Sequence, residues 1–160
     1  MNGSECKIIL SQTITATLEE LAFIQLVESD AAPCIKNTLK EINGENYLQD
    51  MLSVYLPAKS KYNVMFMSVS KTILKEIACN IFALDDSAPI GEDMLIDTIS
   101  ELLNTVSGQF MRAITPENEF YELGLPVTGA FDMNEIGSET VDCAFETENG
   151  DKLFISYVFL

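Results

Sequence analysis

The stretch Asp97-Thr98-Ile99-Ser100-Glu101-Leu102-Leu103-Asn104-Thr105-Val106-Ser107-Gly108 decides how this chain is read. Successive residues of an α-helix turn by about 100°, so positions three and four apart share a face. On that wheel Asp97, Glu101, Asn104 and Gly108 form one narrow stripe, while Leu95, Ile99, Leu102, Leu103, Val106, Phe110 and Ala113 gather opposite. The pattern predicts a long amphipathic helix from about Asp93 to Ile114, stopped at Thr115-Pro116 because a proline disfavours helix in the residue before it. One face is core; the other is a polar strip that ends in a glycine.

Outward from this helix the chain reads as two similar halves. After the apolar run Lys7-Ile8-Ile9-Leu10, a helical pattern runs from about Ser11 to Glu28, with Thr13 or Thr15 and then Glu19 as capping chemistry. Tyr47 to Leu56 and Tyr62 to Val69 read as strands joined by the turn Pro57-Ala58-Lys59-Ser60-Lys61, and Lys71 to Leu84 as a helix. Asp85 to Glu92 connects the halves. Beyond the long helix, strands are expected at Leu123 to Phe131, Glu139 to Glu146 and Lys152 to Leu160, the last two joined through Glu148-Asn149-Gly150-Asp151, where Asn-Gly is a hairpin signal.

Overlaying Thr17-Leu18-Glu19-Glu20-Leu21-Ala22-Phe23 on Thr98 to Asn104 matches Glu20 with Glu101 and Phe23 with Asn104. The expected fold is a pseudo-symmetric two-layer α/β (α+β) sandwich. Long helices pack on an antiparallel sheet built from two helix-plus-hairpin halves, with the polar pair kept only in the second. At 160 residues and 48% hydrophobic content, a single domain over 1–160 is the simplest expectation.

Nine Lys and Arg against 25 Asp and Glu give a formal charge of −16, which repels phosphate backbones and anionic membrane surfaces. Nucleic acid and membrane are therefore not expected as partners. The chain has no histidine, which removes Ser-His and Cys-His nucleophile pairs and the commonest transition-metal ligand. Cys6, Cys34, Cys79 and Cys143 form no C-x-x-C pair, so no metal site is expected and buried free thiols are the default. Met1-Asn2-Gly3-Ser4-Glu5 does not resemble a secretory signal, and no apolar run approaches the roughly 20 residues that span a bilayer. A cytoplasmic protein is expected. The methionines, Met51, Met65, Met67, Met94, Met111 and Met133, read as core filler, and Asp85-Asp86, Glu92-Asp93 and Glu146/Glu148 as solvated connectors without calcium-loop spacing.

Asp97, Glu101, Asn104 and then Pro126, within Leu123-Gly124-Leu125-Pro126-Val127-Thr128-Gly129, follow the pattern acidic residue, three positions, Glu, two positions, Asn, and a later proline. In this the chain resembles the CheX-type members of the CheC/CheX/FliY chemotaxis phosphatases. CheC-type members commonly carry two Glu/Asn sites and CheX-type members one, and Phe23 in place of a first-half asparagine points to CheX. The resemblance implies hydrolysis of the phospho-aspartate of a CheY-like receiver domain, with Asn104 positioning the attacking water and Glu101 pairing with the receiver's lysine. It also implies Asp97, Gly108 and Pro126 as partner-binding residues and no cofactor beyond the Mg²⁺ that the receiver supplies. A homodimer joined through sheet elements is implied as well. The bland alternatives stay open: a solvated outer face for the Glu/Asn pair, a close helix-sheet contact for Gly108, and an edge-strand role for Pro126. A non-catalytic receiver-binding or dimerisation module of the same fold competes with the enzyme, and a small-ligand sensor is a third option.

The apolar strand Leu153 to Leu160 needs cover on both faces, which helices or a second subunit could supply, and the contact of a dimer is expected on the C-terminal strands, away from the Glu101/Asn104 face.

Overall fold

The structure, a computed structural model, describes residues 2–29, 50–58, 63–128 and 139–159. The chain first forms α1 (Gly3–Ala22), a short β1 (Val27–Glu28) and the hairpin β2 (Met51–Ala58) and β3 (Asn63–Ser70). There follow α2 (Lys71–Phe82), α3 (Glu92–Ile114), a short β4 (Val127–Thr128) and the hairpin β5 (Glu139–Glu146) and β6 (Lys152–Phe159). Among the described residues, three helices pack on a six-stranded, wholly antiparallel open sheet of order β1-β5-β6-β3-β2-β4.

That order carries a two-fold relation. Each half is a helix, a short strand and a hairpin, and the inner strands β3 and β6 pair from Asn63↔Phe159 to Val69↔Leu153 at the centre. The two short strands are exchanged: β1 of the first half pairs with β5 of the second (Val27↔Glu146), and β4 of the second pairs with β2 of the first (Tyr55↔Val127). Neither half closes its own sheet.

The helix-facing side of the sheet and the apolar faces of the helices make one core. Met65, Met67, Val69, Cys143, Phe145, Leu153, Ile155 and Tyr157 meet Leu10, Ile14 and Leu18 of α1, Ile73, Leu74 and Ile77 of α2, and Ile99, Leu103, Val106 and Phe110 of α3. The Phe110 ring stands edge-on to Tyr157, centroids 5.0 Å apart, which seats α3 on the sheet. β3 is buried at every position, as expected of a central strand covered on both faces. Ser70 ends β3 and caps α2, its hydroxyl accepting from the Ile73 amide at 3.4 Å.

Several expectations are corrected. The first helix starts at Gly3, not near Ser11, because Asn2 and Glu5 form a reciprocal capping box at the very start of the chain. Thr13, Thr15 and Thr17 lie inside the helix and donate back to the carbonyls of Ile9, Ser11 and Thr13. The helix stops at Ala22 rather than Glu28, with Phe23 in the left-handed region at φ 56° and its amide bonded to Glu19. Pro57 and Ala58 belong to β2; the rest of the turn placed at Pro57–Lys61 lies outside the described residues, as do Tyr47, Cys34, Met133 and Gly129–Phe131. The strand placed at Leu123–Phe131 is regular only at Val127–Thr128 among the described residues. Ala113 is exposed, not core.

Within the C-terminal hairpin expected to hold the dimer contact, β5 pairs with β1 only at Glu146 and Phe145 among the described residues, and β6 is interior. Both of its edges are taken, by β5 and β3, and Leu153, Ile155, Tyr157 and Val158 are buried within the chain. Among the described residues the outermost strands are the two-residue β1 and β4. The Asn149-Gly150 turn is as read: Gly150 takes φ 81°, and Thr147 and Asp151 are bonded across it at 3.0 Å.

Candidate functional site

Helix α3 presents the predicted stripe. Leu95, Ile99, Leu102, Leu103, Val106 and Phe110 are buried at 3% exposure or less, while Asp97 and Glu101 are exposed and Asn104 and Gly108 half-buried on the other side. Glu92 and Asp93 in the first turn and Arg112 in the last complement the helix dipole. Thr98 is buried with its hydroxyl folded back onto the Met94 carbonyl at 2.6 Å. Thr115 takes extended backbone before Pro116 and bonds its amide to the Met111 carbonyl, closing the helix.

Among the described residues the side chains of Asp97, Glu101 and Asn104 make no hydrogen bond or ion pair. Two carboxylates four apart repel by a few tenths of a kcal/mol, roughly, and asparagine is a mediocre helix former. The stripe therefore carries a small cost to the helix and leaves a carboxylate and a carboxamide free to meet another molecule. A carboxamide can both donate to and accept from water, and a carboxylate can hold a cation.

Gly108 completes the stripe. A Cβ there would meet nothing within 4 Å, so the close helix-sheet contact considered from sequence is absent among the described residues. Glycine in mid-helix costs up to about 1 kcal/mol relative to alanine, and packing among the described residues does not require it. After α3 the chain doubles back, and the Tyr121 hydroxyl donates to the Gly108 carbonyl at 3.2 Å. Tyr121 was not a candidate from sequence; a lone Tyr in a polar connector gives no signal that its hydroxyl returns to the preceding helix. Pro126 sits half-buried immediately before β4 at the sheet edge, where a proline's missing amide is tolerated. Nearby, the Gly124 amide donates to the Pro57 carbonyl at 2.7 Å, and a Cβ at 124 would lie 2.7 Å from that oxygen. Glycine is needed there by close approach, so this segment is pinned to β2.

The first half lacks the stripe, and the residue overlay is corrected. Matching the helix starts, Gly3 with Glu92, sets buried Cys6, Leu10 and Ile14 on buried Leu95, Ile99 and Leu103. Glu101 and Asn104 then fall opposite Gln12 and Thr15, not Glu20 and Phe23. Glu20 is exposed on the last turn of α1, and Phe23 lies beyond the helix, 82% exposed. Around Gln12 the surface is a shallow groove lined by Ser4, Lys7, Ile8, Ser11, Gln12 and Glu28, where Lys7 and Ser11 hold Glu28 at 3.5 and 3.2 Å.

Cys6, Cys79 and Cys143 are free and buried, and no cluster of metal-ligating side chains occurs among the described residues. Burial, with Glu28 nearby, pushes the Cys143 thiol up to about 12, and burial raises Tyr157 to about 12. Ser87 bonds to Asp85 through hydroxyl and amide, at 2.7 and 2.9 Å, holding that carboxyl below its ordinary value in a local turn. Among the described residues no helix is long and apolar enough to cross a membrane.

Neither a protein-family model nor a curated protein sequence matches the chain. Solved structures do. A chain in the CheX-CheY-BeF3-Mg²⁺ complex from Borrelia burgdorferi aligns with a TM-score of 0.66 at 12% identity, covering 94% of this chain and 95% of that one. The chemotaxis protein CheX from Vibrio vulnificus aligns at 0.68 and 16% identity over 100% and 99% of the two chains. The FliM middle domain from Vibrio alginolyticus aligns at 0.63 and 12% over 98% and 92%. The chain has the CheX/CheC-type fold.

Proposed function

We propose that the protein is a phosphatase that hydrolyses the phospho-aspartate of a CheY-like receiver domain, in chemotaxis or related two-component signalling. The observation that carries this reading is the pair Glu101 and Asn104, unengaged within the described chain and one turn apart on the outer face of α3. Its setting on a fold shared with a CheX-CheY complex supports the same partner.

The chemistry asks little of the added protein. Water attacks phosphorus in line, the bond from phosphorus to the aspartyl oxygen breaks, and inorganic phosphate, a carboxylate and a proton result. The leaving group is a carboxylate whose conjugate acid has a pKa near 3.9, roughly, so it departs without general-acid help and the absence of histidine is no obstacle. Charge on the phosphoryl oxygens falls to the Mg²⁺ and lysine of the receiver. Asn104 holds the water through its carboxamide and confines it to the attacking direction. Glu101 pairs with the receiver lysine and fixes α3 over the phosphate. Asp97 and Gly108 extend the contact along the stripe, and Pro126 shapes the neighbouring segment. The protein contributes no cofactor of its own.

A homodimer belongs to this reading, its contact away from α3 so that each copy keeps its stripe. At −16 per chain, self-association needs an apolar or strand-paired contact large enough to outweigh repulsion, and light scattering should give about twice 17.7 kDa.

A second reading, a receiver-binding module without turnover, is favoured by one observation: the FliM middle domain has this fold, and a fold does not fix a chemistry. The deciding experiment follows phosphate release from a phosphorylated CheY-type receiver with and without the protein. Accelerated release supports the phosphatase; binding with unchanged release supports the module.

A further inference from the structure

We infer that Gly108 and Phe120 together form the seat for a backbone segment of the receiver, and that this seat sets affinity rather than the rate of the chemical step. The inference rests on the phosphatase reading of α3. Three observations converge on one place. Gly108 lies on the Asp97–Glu101–Asn104 stripe, and the missing Cβ leaves open space that none of the described residues fills. The Tyr121 hydroxyl fastens the returning segment to the carbonyl of that same glycine at 3.2 Å. The residue before this tyrosine, Phe120, is 93% exposed, and Leu125 further along the segment is 81% exposed.

The Phe120 ring stands in water beside an anchored tyrosine and is not packed among the described residues. The tyrosine that follows it ties this segment to the one position of α3 that carries no side chain, Gly108. A gap over helix backbone admits another backbone at close range, and an apolar ring at its rim is the kind of group that anchors an interface. Continuity with the Glu101/Asn104 pair assigns this surface to the molecule that the pair engages, the receiver. Tyr121 is a positioning residue: it holds Phe120 in place and touches no reacting atom.

The test uses the full chain and a CheY-type receiver domain from the same genome. Turnover is measured on the phosphorylated form and binding on the beryllofluoride-Mg²⁺ form. Because a Cβ at 108 meets nothing among the described residues, Gly108→Ala and Gly108→Leu should keep or raise the thermal midpoint. KM and the dissociation constant should climb in steps, about tenfold for leucine, with kcat little changed. Phe120→Ser should raise both severalfold at constant midpoint. Tyr121→Phe should move KM in the same direction by a smaller factor.

If wild type binds and turns over while Gly108→Leu and Phe120→Ser match it within about twofold, the seat is overturned and the phosphatase reading stands. If the variants change the mass in solution and leave the receiver constants alone, the surface belongs to a second copy and the inference fails. A wild type that binds the beryllofluoride form without turnover sinks the phosphatase reading alone, and the variant dissociation constants still decide the seat. A wild type that neither binds nor hydrolyses removes both.

Discussion

Helices α1 and α3 occupy two-fold-related places on one sheet, yet their outer faces differ in kind. Where α3 carries Asp97, Glu101, Asn104 and Gly108, α1 carries Ile8, Gln12, Thr15 and Glu19 at matched positions counted from the helix starts. Their inner faces agree: Cys6, Leu10 and Ile14 are buried, as are Leu95, Ile99 and Leu103. Core demands are therefore the same in both halves, and they leave the outer positions unspecified. The matched position to Gly108 is an exposed glutamate, so seating a helix on this sheet does not call for glycine there. Features that α3 has and α1 lacks are the ones that the proposed receiver contact would explain.

The sharpest way to break this comparison is Asn104→Ala. Its side chain makes no bond within the described chain, so the fold should hold and thermal unfolding should change little. Receiver dephosphorylation should fall by about 10²-fold or more if Asn104 orders the water. An unchanged rate would place the chemistry elsewhere. Glu101→Ala should chiefly weaken the complex, by about tenfold, and Glu101→Lys should do worse because the partner group is a cation. Titration against a beryllofluoride-loaded receiver checks the order of the three proteins.

The two halves also differ in what seats them. Under α1 the Cys143 thiol donates to the Lys7 carbonyl at 3.8 Å; under α3 Tyr157 meets Phe110. Both groups titrate from ordinary values of 9.0 and 10.0 up to about 12 in the folded chain. The folded state holds these protons more tightly, so their stabilisation is complete below pH 9.0 and is lost as the pH rises towards 12. Thermal midpoints should decline over that interval, and Cys143→Ala should flatten the earlier part of the slope. A profile level through this window would mean that the sheet opens before either group ionises.

Helix ends give a smaller effect. α1 begins with a complete capping box, whereas α3 begins at Gly91 with no side-chain cap. Asn2→Ala should cost about 1 kcal/mol and a few degrees of midpoint, while Gly91→Ser, with open space for its Cβ, should change stability by a few tenths. Calorimetry on the pair measures the asymmetry. Least of all is expected from Gln12→Glu combined with Thr15→Asn, which places the pair on α1 without Gly108, Phe120 or Tyr121 around it. Activity should rise by less than about twofold; a doubling would mean that two side chains on any helix of this fold suffice.

What could be read from the chain follows from where physical signals are strong. α3 was legible almost to the residue because its apolar stripe is wide and a proline stops it, and β5-β6 because Asn149-Gly150 forces a tight turn. α1 was displaced at both ends. Its threonines look like caps, and only the bonds from Thr13, Thr15 and Thr17 back to carbonyls four residues earlier reveal them as interior. Its end is marked by a phenylalanine in a conformation that glycine or asparagine normally takes. The displaced helix then displaced the overlay, so Phe23 stood in for Thr15. Of the candidate site, Glu101, Asn104, Asp97 and Gly108 lie along one helix and were found together by periodicity. Tyr121 and Gly124 act through the return of the chain onto α3 and β2, which no local pattern encodes.

The exchange of β1 and β4 between the hairpins has a consequence for how this chain folds. Each hairpin forms from neighbours in sequence, but the pairings that join the halves reach from Val27 to Glu146 and from Asn63 to Phe159. Such high contact order requires long loops to be closed before their strand contacts give any return, which places folding in the range of about milliseconds to seconds. A ribosome still synthesising β5 and β6 holds a first half whose β3 edge and β1 lack partners. That nascent half is the stage most exposed to pairing with a foreign strand. A chain cut within residues 85–91 should yield two pieces, each incompetent by itself, that regain the sheet only when mixed.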